Sequence, residues 1–285
     1  MASSGNWLLM VDSGLDFYIF NLLTCKRINL TSIELGHLVE PCRKDHLSKE
    51  ISGCNRSAVL WIDERRGGIY VVAWILNRHY LFIHKKGDDS WWNSNMENPN
   101  LRFSDLAYRN SKLYLYTLND HIKIIDFSRD YPKEVIEENP YWDHPFHYFP
   151  QRREYIKKRR IAIQKSGEVL IIMSLLEVGL EDKCLFYIFK MNLERNKWER
   201  VDSIGDDEML IFGHGVTIRA PVQDVGDGLK NGSIFFVKDD VDHLSPRYNC
   251  ASKCGVFDLA TSGIKLPKKL GSHVFKTQWF FPGFA

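Results

Sequence analysis

Paired apolar runs recur along the chain, each pair closed by a polar turn. Trp7–Val11 (WLLMV) is followed by Phe17–Phe20 (FYIF). Gly67–Leu76 is followed by Tyr80–His84, Lys112–Leu118 by Ile122–Phe127, Gly167–Ser174 by Leu185–Phe189, and Gly232–Val237 by Gly255–Leu259. The first run of each pair is continuous rather than alternating. A strand with one wet face alternates, and a helix needs a longer periodic stretch. A continuous run of four to eight β-branched and aromatic residues fits a strand covered on both faces. The Asn, Asp, Gly, Ser and Lys residues after the second runs suit hairpin turns. The pattern predicts an all-β chain of repeated, mostly antiparallel units.

Sheets that are apolar on both faces must stack on something. Stacking each on the next around an axis satisfies all of them and leaves only short edges. The expectation is a single β-propeller over residues 1–285. At roughly 40–50 residues per blade, the length implies about six blades. The sixth would lie in 31–57, or the C-terminal HVFKTQWFFPGF would complete the first blade and close the ring. A β-sandwich is the rival architecture, but it does not require units that resemble one another.

Composition narrows the class. Apolar residues are 44% and charged residues 26%, so the chain can bury a core. A net charge of +2 does not point to nucleic acid or membrane. No apolar run reaches the length of a membrane span, and the start MASSGNWLLMVDSG, which has no Lys or Arg, resembles no targeting signal. The six cysteines, at 25, 42, 54, 184, 250 and 254, form no CxxC. They read as reduced thiols of a cytoplasmic or nuclear protein.

With the units aligned, the chain resembles the plant F-box proteins of the KIB type. Their C-terminal Kelch-like part is known as domain of unknown function 295. The resemblance rests on WLLMVDS, YIFNLLTCKRINL, KKGDDSWW, FSDLAYRNSKLYLYTLNDHIKIIDF, KWERVDSIGDDEMLIFG, GSIFFVKDD and CGVFDL. It implies a substrate-recognition domain of a Skp–cullin–F-box ubiquitin ligase, hence a protein partner such as a ubiquitylation substrate. The first blade begins at Trp7, which leaves no room for an F-box ahead of it. A Skp-type adaptor is therefore not an expected partner of these residues.

Catalytic signatures are absent: there is no GxSxG, GxxxxGK[ST], HExxH or kinase set. The Gly-rich GDGLKNG at 226–232 precedes a strand, whereas phosphate cradles open a helix. His144 and His147 with Cys250 and Cys254 could supply zinc donors, but they fall in separate loops at no standard spacing. Asp239, Asp240 and Asp242 cluster without the glycine and distal glutamate of a calcium loop. No catalytic residue, cofactor or metal is assigned. Of the adjacent Trp91 and Trp92, a strand turns one outward, where it could be a contact residue. Trp198 reads as packing between units. Residues 139–150 mix five aromatics with three prolines, and 152–160 then carry a net charge of +5, leaving −3 elsewhere. That run reads as an inter-blade loop, with an import signal or an anion-binding surface as alternatives; nucleic acid is not the expected partner.

Loop length suggests where a partner binds. The link between the two runs is short at Asp12–Asp16, Asn77–His79 and Asn119–His121. It lengthens at Leu175–Cys184 and is longest at Lys238–Cys254. Long loops on compact domains are often functional. The expected contact residues are Asp239, Asp240, Asp242, Arg247 and Tyr248. The reading is a non-enzymatic, protein-binding propeller. The alternative is an enzyme or carbohydrate-binding propeller with acids such as Asp239 and Asp240 around a central pocket.

Overall fold

The structure, a computed structural model, describes residues 2–12, 16–33, 57–93, 101–129, 132–179, 183–205, 208–212, 216–219, 232–237 and 254–265. Among them every regular element is a strand, and the strands form five sheets. The first holds β1 (Ser3–Ser4), β2 (Trp7–Val11), β3 (Phe17–Asn21) and β4 (Arg27–Asn29). The second holds β5 (Ser57–Asp63), β6 (Ile69–Leu76), β7 (Tyr80–Lys85) and β8 (Trp92–Asn93). The third holds β9 (Phe103–Arg109), β10 (Lys112–Thr117), β11 (Ile122–Asp126) and β12 (Lys133–Val135). The fourth holds β13 (Glu154–Ile163), β14 (Val169–Glu177), β15 (Lys183–Asn192) and β16 (Lys197–Val201). The fifth holds β17 (Met209–Phe212), β18 (Val216–Arg219), β19 (Ser233–Val237), β20 (Cys254–Asp258) and β21 (Gly263–Lys265).

The first four sheets are antiparallel meanders in chain order, and their first strands neighbour one another in sequence: β1 with β5, β5 with β9, β9 with β13. These strands face the axis of a β-propeller. The paired apolar runs are the second and third strands of each blade. The expectation of about six blades is corrected to five among the described residues. Residues 31–57 hold no sixth blade that can be described: Ser57 already opens β5, and 34–56 lie outside the described residues.

The fifth sheet breaks the pattern. Its order is β18-β17-β19-β20-β21, and β17 runs parallel to β19, with Leu210 beside Ile234 and Phe212 beside Phe236. A β17–β18 hairpin thus takes the axial position, and β18 lies against β13.

The continuous runs are explained by burial on both faces. On β6, Tyr70, Val72, Trp74 and Leu76 pack toward the first blade with Trp7, Leu9, Phe17 and Ile19. The intervening Val71, Ala73 and Ile75 pack toward the third blade with Phe103, Leu113, Leu115 and Ile125. Successive strand residues point to opposite faces, so a strand between two neighbouring blades is apolar at every position. The same division recurs on β14, where Val169, Ile171 and Met173 face the third blade and Leu170 and Ile172 the fifth. Each such side chain contributes roughly 1.5–3 kcal/mol on full burial.

Turn chemistry sets the hairpins. Between β6 and β7, Asn77 and Arg78 both have positive φ (51° and 62°), and the His79 amide donates to the Leu76 carbonyl at 3.1 Å. This is a type I′ turn, which matches the twist of the strands it joins.

Candidate functional site

Around the second, third and fourth blades, the turn between second and third strands and an adjoining inter-blade connector lie at one end. The Phe103 amide donates to the Arg78 carbonyl at 2.7 Å, that of Leu118 to Arg102 at 2.9 Å, that of Phe146 to Asp120 at 2.8 Å, and that of Val178 to Arg153 at 2.9 Å. These bonds knit turns and connectors into one surface, the connector face.

Three strands meet at a buried polar junction on the axis. Arg160 of β13 donates from Nη1 to Oδ1 of Asp105 on β9 at 3.0 Å, and to Oγ of Ser57 on β5 at 2.8 Å. Ser57 donates in turn to Oδ1 of Asp105, and the Ile161 amide donates to Oδ2 at 2.9 Å. Arg160, Asp105 and Ser57 are 1%, 0% and 3% exposed. Burial pushes the Asp105 carboxyl up, while the Arg160 guanidinium and the backbone amides of Ile161 and Leu106 pull against it. Convergent charges from several blades are what a catalytic propeller would show. Here Arg160, Asp105 and Ser57 are closed to solvent and bond to one another.

Beside this junction, Arg159 donates from Nη1 to Oδ1 of Asp120 at 2.6 Å, and the Tyr116 hydroxyl donates to the same oxygen at 2.6 Å. Burial first, then the neighbouring Asp120 carboxylate, push the Tyr116 phenol far above its ordinary range. The basic run at 152–160 is therefore not an inter-blade loop. From Glu154 onward it is β13, the axial strand of blade four. Arg159 and Arg160 are consumed in holding blades together.

Glu154, 8% exposed, anchors the connector into β13. Its Oε2 accepts from the Tyr148 hydroxyl at 2.6 Å and from the Gln151 amide at 2.9 Å, and its Oε1 from the Tyr187 hydroxyl at 2.6 Å. Burial alone would raise its pKa. The two hydroxyls, the amide and nearby Arg200 outweigh burial and hold the carboxyl below the usual carboxylate range. Arg200 lies 3.7 Å over the Tyr187 ring.

The expected contact residues Asp239, Asp240, Asp242, Arg247 and Tyr248 lie outside the described residues, as does Cys250. The Leu175–Cys184 link is shorter than the sequence suggests, because β14 runs on to Glu177 and β15 starts at Lys183. His144 gives its carbonyl to Trp198 Nε1 at 2.9 Å. Trp91 and Trp92 are both packing residues. Trp91 lies against Phe17 and His84 and donates to the Thr31 carbonyl at 2.6 Å, while Trp92 packs toward the third blade. Trp198 packs on Tyr141 and Phe146, as expected.

At the opposite end, a groove of about 450 Å³ between the first two blades is lined by Trp7, Lys26, Glu64, Tyr70 and Lys86. Its polar groups are largely taken. Trp7 Nε1 donates to Glu64 at 2.7 Å, and Lys86 Nζ to the Gly67 carbonyl at 2.6 Å.

Sheets stacked around a sealed polar axis define a β-propeller. The model of the KIB1-4 β-propeller family matches residues 1–258, and the chain belongs to that family. F-box only protein 7 of Arabidopsis thaliana is 54% identical over 306 residues, covering all of this chain and 74% of that one. F-box protein KIB4 of the same plant is 29% identical over 315 residues, again covering all of this chain and 74% of that one. A further F-box relative from the plant is 60% identical over 311 residues, all of this chain and 76% of that one. The chain is thus a propeller of the F-box-protein type. Among solved structures, an α-L-arabinanase of Penicillium chrysogenum aligns at 9% identity and a TM-score of 0.31, over 88% of this chain and 85% of that chain. That likeness carries no argument about activity. Among the described residues, no helix is long and apolar enough to cross a membrane.

Proposed function

We propose that the chain is a non-enzymatic, protein-binding propeller, one unit over residues 1–285, serving as the recognition part of an F-box-type ubiquitin ligase adaptor. The observation that carries the reading is the axis. Asp105, Arg160 and Ser57 converge from three blades, yet all three are buried and bonded to one another, which supports a polar centre that holds blades rather than a substrate. Function then falls to the surface, and the connector face gathers the longest links between strands. The segment 238–253 joins β19 to β20 in sequence. Asp239, Asp240, Asp242, Arg247 and Tyr248 are kept as proposed contacts, with cytoplasm or nucleus as the compartment.

The test is affinity purification of the tagged chain from plant cells, followed by direct binding of each recovered protein to purified chain. One or a few proteins binding with Kd of about 10 μM or tighter (about −7 kcal/mol) are expected. Recovery of no direct binder, together with turnover of an arabinan or another glycan by the purified chain, overturns the reading in favour of the enzyme alternative.

A further inference from the structure

The connector between the third and fourth blades turns a phenylalanine out to water. Phe149 is 88% exposed, the most exposed large apolar side chain among the described residues. Its neighbours are held tightly. Tyr148 on one side and Gln151 on the other both bond to Oε2 of the buried Glu154. Phe149 and Pro150 thus lie in an irregular stretch tied on both sides to a single carboxylate, just ahead of the turn at Gln151–Glu154. Pro150 fixes its own φ and restricts Phe149 to extended backbone. A lone exposed apolar residue is ordinary on a protein surface, but one presented on a braced stretch is preorganised for contact, and preorganisation lowers the entropic cost of binding.

Among the described residues, two arginines, Arg152 and Arg153, follow this stretch directly. Both are exposed and have no ion-pair partner among the described residues. Val178, 37% exposed, sits against Arg153 through its amide, and Tyr155, 58% exposed, is two residues further on. Glu177, the exposed acid of this strand pair, stands opposite Lys183. Glu154 is buried and satisfied by hydroxyls and an amide. An apolar anchor flanked by unpaired arginines is complementary to an acidic segment that carries an apolar side chain.

We propose that Phe149, Arg152, Arg153, Tyr155 and Val178 form a docking surface for an acidic, apolar-containing peptide segment of a partner protein. This rests on the protein-binding reading above and specifies where and what the propeller binds. Nucleic acid fits less well. Two further arginines of the basic run are consumed by Asp120 and Asp105 inside the protein, and one exposed ring flanked by two arginines is short of the charged, multi-aromatic track that binds single strands.

The test uses the full chain and a displayed library of random twelve-residue peptides. The expected pool is rich in Asp and Glu together with Leu, Phe or Trp, and its affinity falls on raising salt, since exposed charge pairs are screened. Phe149→Ser and the double change Arg152→Glu with Arg153→Glu should each weaken synthetic peptides from that pool about tenfold or more, as loss of a central anchor does. These side chains are exposed, so the midpoint of unfolding should not move. A pool that binds both variants as tightly as the unmodified chain sinks the surface while leaving the protein-binding reading intact. A neutral or basic pool sinks the acidic partner. Failure to select any pool counts against both. An oligodeoxythymidine probe that binds as tightly as the peptides and displaces them assigns the surface to nucleic acid instead.

Discussion

Arg160 and Asp105 are paired at 3.0 Å with both side chains removed from water, one on the axial strand of blade four and the other on that of blade three. Ser57 brings in blade two, so one junction couples three of the five sheets. Breaking a buried pair leaves an uncompensated charge and typically costs 3–5 kcal/mol, whereas replacing both partners by apolar residues is often near neutral. Asp105→Ala is therefore expected to cost about 3–5 kcal/mol in urea unfolding. The double change Asp105→Leu with Arg160→Met should recover part of that loss. A double variant as unstable as the sum of the two singles would show the residues acting independently.

His84 gives a pH prediction. It is 2% exposed on β7, stacked 5.9 Å from Tyr70 and tilted against Trp91 at 5.1 Å, and neither ring nitrogen has a hydrogen-bond partner among the described residues. Burial lowers its pKa, and the Asp88 carboxylate only partly offsets this. The unfolded chain therefore binds the proton more readily than the folded one. Stability contributed by the neutral ring is complete above the unfolded value of about 6.5 and is lost as pH falls below it. Thermal unfolding between pH 7.5 and 5 should show a falling midpoint. His84→Phe, which keeps the ring stacking, should flatten that fall; identical slopes in the two proteins would sink the assignment.

The second and third strands of each blade were legible because burial on both faces writes a continuous apolar run, as in Tyr70–Leu76 and Val169–Leu175. The axial strands were not. β13 reads EYIKKRRIAI, and its basic half looks like solvated chain until Asp120 and Asp105 are placed opposite Arg159 and Arg160. Those partners lie 39 and 55 residues away in sequence, and no local pattern announces them. Counting blades failed for a related reason. The fifth sheet fills its axial position with a hairpin running parallel to β19, a pairing that spacing alone does not encode. Of the candidate site, only the choice of face could be read, because turns at equivalent positions of a repeat share one end. Phe149 was visible only as one aromatic among several; Tyr148 and Phe146 beside it turn inward, and that difference depends on Glu154 and Trp198.

The adjacent tryptophans separate packing from contact. Trp91 bridges the first and second blades, with Nε1 bonded to the Thr31 carbonyl at 2.6 Å. Trp91→Phe keeps a ring against Phe17 and loses the hydrogen bond, so a cost of about 1 kcal/mol is expected. Trp91→Ala also opens a void and should cost about 3 kcal/mol or more. Peptide affinity should be unchanged in Trp91→Phe at temperatures where it remains folded. A variant of normal stability but weakened peptide binding would return Trp91 to the contact surface.

Glu154 links stability to the docking surface. One carboxylate accepts from Tyr148, Tyr187 and the Gln151 amide, and its two Oε2 bonds, from Tyr148 and Gln151, pinch the stretch that carries Phe149. The carboxyl is held below its usual range, so the folded state binds its proton less readily than the unfolded chain. Its contribution is present above the unfolded carboxylate value of about 4.3 and is lost as pH falls through the lower folded value. Glu154→Gln presents one oxygen and an amide NH₂ to three donors, so at least one hydrogen bond is lost. A cost of about 1–2 kcal/mol near neutral pH is expected, with a shallower loss of stability on the acid side. Loosening the pinch should also weaken the selected peptides, although Glu154 is buried and out of their reach. Tyr148→Phe removes one bond of the pinch and keeps the ring, so it should weaken binding less than Phe149→Ser does while lowering the unfolding midpoint more. If Glu154→Gln lowers stability but leaves peptide affinity unchanged, Phe149 needs no bracing, and preorganisation of its stretch is not what makes the surface bind.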